Sequence, residues 1–271
     1  MKLAVLVTEY PKTTETFILR DLMTFIDAGV DLRLYHITPF RKAEILHDFA
    51  RPTRARARHI PLAGAAALRA LGRHPGLGAR HGATIVRRLW AEPLILAKSL
   101  AMVPQSLALA DELADWGAEH IHAEFAGHPA TAAWIANAVT GIPYSVSCRA
   151  HDIFRTQRLL REKLGMAAAV RTVSDFARRF VLERVAGLDP AAVSVIHSSV
   201  DTAALRPLGP PPAAPFHILY VGSLQPRKGV DILLDALAGL DVPNWRATIA
   251  GDGPIAARWK RSLKKEACPV G

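Results

Sequence analysis

Residues 216–254 read FHILYVGSLQPRKGVDILLDALAGLDVPNWRATIAGDGP, and this stretch decides the fold. His217 to Val221 is a short β-branched and aromatic run without Pro or Gly, and Gly222 closes it where the chain has to turn into a helix. From about Gly229 to Leu240, the residues Val230, Leu233, Leu234, Leu237 and Leu240 recur at helical spacing and mark one apolar face. Trp245 to Ala250 is a second apolar strand that stops at Gly251-Asp252-Gly253-Pro254, where Pro254 suits the first turn of another helix. In a parallel sheet both glycine turns fall at the carboxyl ends of strands, where open α/β sheets bind ligands. The two turns are therefore expected to share one cleft.

Ser223, Arg227 and Lys228 stand between Gly222 and the helix. A helix start already offers free N–H groups and a positive dipole end, so two added cations make a site suited to phosphate. The spacing is neither the Walker loop nor G-x-G-x-x-G, and an ordinary βα turn with a solvated Arg-Lys pair is the alternative reading. The turn G-S-L-Q-P-R-K-G, its amphipathic helix and I-A-G-D-G-P together resemble the donor half of the family 4 glycosyltransferases, retaining enzymes of the GT-B fold. The resemblance implies an α/β, GT-B-like chain of two Rossmann-type domains with parallel sheets. It also implies that Gly222, Ser223, Arg227, Lys228, Gly251 and Gly253 hold the diphosphate of a UDP- or GDP-sugar, with no metal or other cofactor required. Ser223 stands where many of those enzymes carry Arg, which leaves one cation fewer.

Upstream, Lys2 to Val7 is nearly all apolar, as a buried parallel strand should be, and Thr8 to Thr16 is a polar loop with Pro11. Glu15-Thr16-Phe17-Ile18 opens a helix that Gly29 closes, and Asp31 to Ile37 is the next strand. This opening resembles glycosyltransferases of exopolysaccharide and colanic-acid-like chains. The loop lies at a strand's carboxyl end, so Thr13, Thr14 and Glu15 are candidates to face the acceptor; capping of the helix by Thr14, with Glu15 in its first turn, is the alternative. Ile142 to Cys148 is a strand leading into Arg149-Ala150-His151-Asp152-Ile153-Phe154. A cation and a titratable group at a strand end suit stabilisation of developing charge, which makes Arg149, His151 and Asp152 the catalytic candidates. Related sequences look like S-x-T-A-H-A-x-D-I-F, with a His that contacts the donor sugar. Here that His falls on Arg149, while His151 lies two residues later on what would be the same strand face. Capping of the next helix by Asp152, with His151 hydrogen-bonded to it, is the structural alternative.

The chain has 271 residues and a formal charge of +10. Between Asp48 and Glu92 there is no acidic residue, while nine arginines lie there. Arg41 to Val103 reads as helical pieces broken by Pro61, Gly72, Pro75, Gly76, Gly78, Pro93 and Pro104. Ile85, Val86, Leu89 and Trp90 beside Arg87 and Arg88 form a basic amphipathic pattern, which suits peripheral contact with an anionic membrane through 51–103. A solvated arginine-rich surface is the other reading. Nucleic acid is not expected as a partner, since aromatic interleaving and a recognisable binding module are both missing. His120, His122 and Glu124 share a strand face by period-two alternation, and no further ligand is indicated, so no metal site is assigned. Cys148 and Cys268 lie far apart, and no run of 18 apolar residues or signal-like leader is evident. A cytoplasmic protein, peripheral at the inner membrane face, is the expectation.

Ala167 to Val173 reads as a strand, Ser174 as the N-cap of a helix over Asp175 to Val185, and Val193 to His197 as the last strand of this half. S-S-V-D-T-A-A-L-R-P follows and resembles the family's G-V-D-x-x-x-F-x-P, with Ser199 for Gly and Leu205 for Phe. The expected organisation is an acceptor-side domain over 1–205, a proline-rich linker over 206–215 and a partial donor domain over 216–271. Trp259 to Lys265 reads as a basic helix, and the E-x7-E segment of the resembled family does not follow Pro254. The second domain is thus expected to be incomplete, as in a truncated product. The function implied is transfer of a sugar from a nucleotide diphosphate sugar to a glycan or lipid-linked acceptor in polysaccharide biosynthesis, with a non-catalytic remnant that binds glycan or a partner as the alternative.

Overall fold

Lys2–Val7 forms strand β1, and five of its six residues are buried, as a strand covered on both faces requires. Leu3, Val5 and Val7 enter one apolar cluster while Ala4 and Leu6 enter another, so the period-two side-chain alternation feeds two separate helical layers. The computed structural model describes residues 1–198 and 214–256, with 200, 202, 203, 206, 209 and 210 between them. Ser199, Leu205, half of the expected linker, the basic helix expected at Trp259 to Lys265 and Cys268 lie outside the described residues. The chain divides into two units, Met1–Ser199 and Val200–Gly271.

In the first unit α1 (Thr16–Asp27) follows β1, and β2 (Asp31–His36) pairs parallel to it, Leu3 opposite Leu32. Next come α2 (Arg51–Arg56), the short β3 (Ala57–His59), α3 (Ala65–Arg73), α4 (Pro75–Leu89) and α5 (Pro93–Trp116). The chain then returns to the sheet centre as β4 (His120–Glu124), with His120 opposite Leu3. Beyond it follow α6 (His128–Thr140), β5 (Tyr144–Cys148), α7 (Ala150–Phe154), α8 (Leu160–Leu164), β6 (Ala169–Thr172), α9 (Asp175–Arg184) and β7 (Val193–Val195). All seven strands are parallel in the order β3-β2-β1-β4-β5-β6-β7. The order reverses between β1 and β4, and at that switch point the loops after neighbouring strands diverge and leave a crevice.

Two readings of the 41–103 segment are corrected. Gly72, Gly76, Gly78 and Pro104 do not break helices but lie inside α3, α4 and α5. Pro75 and Pro93 occupy first turns, where the missing N–H costs nothing. At Gly78 a Cβ would meet Leu71 at 2.9 Å, so the small residue lets α4 close against α3. Ile85 and Leu89, expected on a membrane-facing pattern, are buried in the core, while Val86 and Trp90 remain exposed. Among the described residues α5 is the one helix long and apolar enough to cross a membrane by length and composition, although no unbroken apolar run is present. Leu107, Ala110 and Leu113 of that helix are fully buried in the unit's own core.

In the second unit β8 (Phe216–Val221) pairs parallel to β9 (Trp245–Ala250), Phe216 opposite Trp245 and Val221 opposite Ala250. Helix α10 (Val230–Ala238) connects them and packs Val230 with Leu224, Tyr220, Leu234 and Ile249. It ends before Leu240, which is exposed and not part of the apolar face.

Candidate active site

The glycine turns of the second unit meet. Gly222 N–H donates to the Ala250 carbonyl at 3.0 Å, Leu224 N–H to the Asp252 carbonyl at 2.8 Å, and Ile255 N–H to the Leu224 carbonyl at 3.4 Å. A Cβ on Gly251 would overlap the Gly222 carbonyl oxygen, and one on Gly253 would overlap the Leu224 backbone. Glycine is what permits this approach. Arg227 and Lys228 are exposed beside the paired turns, between Gly222 and the helix. They sit in a separate 3-10 turn, Pro226–Lys228, because Pro226 starts a tight turn and Gly229 at φ +62° ends it before α10 begins. Arg227 Nε donates to Gln225 Oε1 at 2.8 Å, and Lys228 has no side-chain partner among the described residues. Ser223 is half-buried between the two turns. The site thus combines closely packed backbone with two solvent-facing cations.

In the first unit a pocket of about 380 Å³ opens at the carboxyl ends of β1, β4 and β5. Glu15, His151 and Asp152 line it together, and His128 and Lys163 join them. Asp152 Oδ1 accepts the Arg149 N–H at 2.8 Å and Oδ2 accepts the Ala126 N–H. Burial nevertheless lifts its carboxyl to about 6, against the pull of those N–H bonds. Lys163 Nζ donates to the Ala126 carbonyl and, at 3.4 Å, to that of Gly127, so it ties α8 to the loop after β4. Burial lowers its ammonium to about 8, with Asp152 working the other way. Burial also brings the His128 imidazole down to about 4, and its Nε2 is buried without a partner. A neutral ring with an unused polar atom in a pocket suits a ligand hydroxyl. Glu15 is lifted to about 7, first by burial, then by the Glu9 and Glu124 carboxylates over the opposing Lys12 and Arg149. It is the N-cap residue of α1, whose first residue is Thr16; no side chain caps that helix, so Thr14 does not. Thr13 instead bonds Glu44 Oε2 at 2.6 Å.

His151 is corrected in one respect: it lies in α7, not on an extension of β5, so strand periodicity does not place it on Arg149's face. The Asp152 bond to the Arg149 N–H starts α7 one residue after the strand. No hydrogen bond joins His151 to Asp152 among the described residues, and His151 is exposed at the pocket. Arg149 turns away. Its guanidinium lies 4.0 Å from the Phe17 ring centroid, with Nη2 3.3 Å from Glu124 Oε2 and 4.0 Å from Asp21. Burial works against the Glu124 charge, but His122 and Arg149 hold its carboxyl below the ordinary value. His120 Nε2 and His122 Nδ1 both meet Ser145 Oγ, at 2.8 and 2.7 Å, so those two rings are occupied within the sheet.

Solved structures similar to the whole chain share this architecture. HepE of Anabaena, determined in complex with UDP-glucose, is 16% identical with a TM-score of 0.59, over 98% of this chain and 65% of HepE. Sucrose-phosphate synthase of Thermosynechococcus elongatus is 13% identical with a TM-score of 0.58, over 98% of this chain and 67% of the synthase. MurG of Acinetobacter baumannii is 14% identical with a TM-score of 0.54, over 98% and 63%. The fold is that of the GT-B glycosyltransferases. Within this GT-B chain, residues 204–268 match the family described as Glycosyl transferases group 1, the segment that carries both glycine turns. A phosphatidylinositol N-acetylglucosaminyltransferase component of Arabidopsis thaliana is 34% identical over 82 residues, 29% of the GT-B chain and 18% of the plant protein. The chain therefore spans only part of the length of the proteins it resembles.

Proposed function

We propose that this GT-B chain moves a sugar, with retention of configuration, from a nucleotide diphosphate sugar to a hydroxyl of a glycan or lipid-linked acceptor in polysaccharide biosynthesis. The observation that carries the reading is the stitched pair of glycine turns at Gly222 and Gly251 beside the exposed Arg227 and Lys228, inside the segment that matches the group 1 family. When the bond from the sugar's anomeric carbon to the diphosphate breaks, the electron pair leaves with the phosphate oxygen. Cations positioned at that oxygen lower the barrier most directly. Arg227 and Lys228 take this role, with Ser223 and the turn backbone orienting the diphosphate.

In the first unit His151 is the group free to touch substrate, since Arg149 is held by Glu124. Glu15 and His128 hold the acceptor hydroxyl, and Asp152 shapes the pocket through its bonds to Arg149 and Ala126. The setting is the cytoplasmic face of a membrane, reached through exposed Leu68, Val86, Trp90 and Leu94 among the arginines of 51–103. The test is calorimetric titration of the full chain with UDP and with GDP. One of the two is expected to bind, and Lys228→Ala to weaken it at least tenfold. A folded sample that binds neither would sink the proposal.

A further inference from the structure

At the opposite end of the same sheet's strands lies a larger groove, of about 720 Å³. Asn137 near the end of α6, Gly165 and Met166 after α8, and Gly187 after α9 line it, and each of these helix ends leads into the amino end of a strand. The groove therefore sits at the amino ends of β5, β6 and β7, away from the pocket that holds Glu15 and His151. Arg80 and Arg87, on one face of α4, and Arg161, in α8, line it together. None of the three guanidinium groups has a hydrogen-bond or ion-pair partner among the described residues. By contrast Arg88, Arg158 and Arg171 are all paired with carboxylates. Three unneutralised cations around one concavity repel each other, and an anion of matching size relieves that.

Two further features narrow the anion. Glu162 is the acidic residue lining the groove; its Oε1 takes Arg88 Nε at 2.5 Å, and its Oε2 is buried with no partner. A desolvated carboxylate oxygen requires a donor, and a phosphate dianion without a proton supplies none. Trp134 also lines the groove, its ring in a T-shaped contact with His81 at a centroid distance of 4.4 Å. His81 Nδ1 donates to the Leu77 carbonyl at 2.8 Å, and burial holds the imidazole below its ordinary value, so the ring stays neutral beside the tryptophan. An aromatic face, a hydroxyl-seeking carboxylate and a set of free guanidinium groups match the three parts of one class of molecule. We infer that this groove binds a phosphorylated monosaccharide, with its phosphate on Arg80, Arg87 and Arg161, a hydroxyl on Glu162 Oε2 and the C–H face of its ring on Trp134. The site is separate from both regions assigned to sugar transfer and does not rest on that assignment.

Calorimetric titration of the full chain, in the presence of saturating UDP or GDP, tests it with glucose 6-phosphate, glucose and inorganic phosphate as probes. Glucose 6-phosphate should bind at least tenfold more tightly than inorganic phosphate, and glucose should give no measurable binding. Arg87→Gln and Arg161→Gln, both at exposed positions, should each weaken glucose 6-phosphate at least tenfold, while Lys228→Ala leaves it unchanged. Equal affinity for phosphate and glucose 6-phosphate would reduce the groove to a plain anion patch and overturn the inference. So would the absence of binding, or a loss confined to Lys228→Ala. Failure of UDP and GDP to bind would count against the transfer reading alone.

Discussion

Arg149 and Glu124 form a pair almost wholly removed from solvent, with side chains 10% and 3% exposed. Removing one partner of such a pair strands the other charge in the interior, so Glu124→Gln is expected to destabilise the first unit by about 3–5 kcal/mol. Urea denaturation would measure this, and a change under 1 kcal/mol would mean that solvent reaches Arg149 after all. Asp152 makes the opposite point about burial. Its carboxyl titrates near 6 in the fold against an ordinary 3.8. The raised value means that its contribution is fully present below about pH 4 and is lost as pH rises through 6, a swing of about 3 kcal/mol at 1.4 per unit. Asp152→Asn, which keeps an oxygen for the Arg149 N–H, should flatten the stability profile in that window; an unchanged slope would assign the window to another group. Asp152 as a helix-starting residue was legible in the sequence, because capping is local. His128 and Lys163 were not, because their roles come from desolvation by segments distant in the chain. The G-H-P at the start of α6 was the one available sign for His128.

Helix α5 shows how tertiary contacts override local signals. Pro104 removes an N–H from the helix interior, a defect worth about 3 kcal/mol in an isolated helix. The helix continues through it because Leu107, Ala110 and Leu113 on one side are fully buried, and Gln105 Nε2 donates to the Ile37 carbonyl at 2.9 Å and to that of Ile60. Pro104→Ala is expected to raise stability by about 1–3 kcal/mol, read from the urea midpoint at constant slope. A loss of stability would show that the proline ring itself packs usefully. The same balance explains which elements could be read in advance. β1 and β9 announced themselves by short apolar runs and β4 by the alternation of His120, His122 and Glu124, and Ser174 caps α9 as its sequence position suggested, accepting the Ala177 N–H at 3.1 Å. In α4 Gly78 serves close helix packing, and propensity alone cannot distinguish that use from a break.

At the scale of the whole molecule the charge is more legible than its purpose. The arginines of 51–103 do lie mostly on the surface, yet half of the amphipathic pattern found with them, Ile85 and Leu89, belongs to the core. What remains exposed is Val86, Trp90, Leu68 and Leu94. Retention on phosphatidylglycerol vesicles should fall several-fold in Trp90→Ser and weaken with added salt, since aromatic insertion and screened attraction both contribute. Vesicle binding indifferent to Trp90 would leave only diffuse attraction by the net charge. The doubly wound order of the large sheet carries another consequence, for the chain as it is made. β1 pairs with β2 on one side and with β4 on the other, Leu3 meeting both Leu32 and His120. The first pairing becomes available early in synthesis. The second waits until α5 and β4 have left the ribosome, roughly 4–17 s later at 5–20 residues per second. Through that interval one edge of K-L-A-V-L-V stands open, the kind of unpaired apolar strand that recruits other chains. A nascent chain of this protein halted before residue 120 should therefore be a strong client for chaperones that shield strand edges, and released completed chains should not.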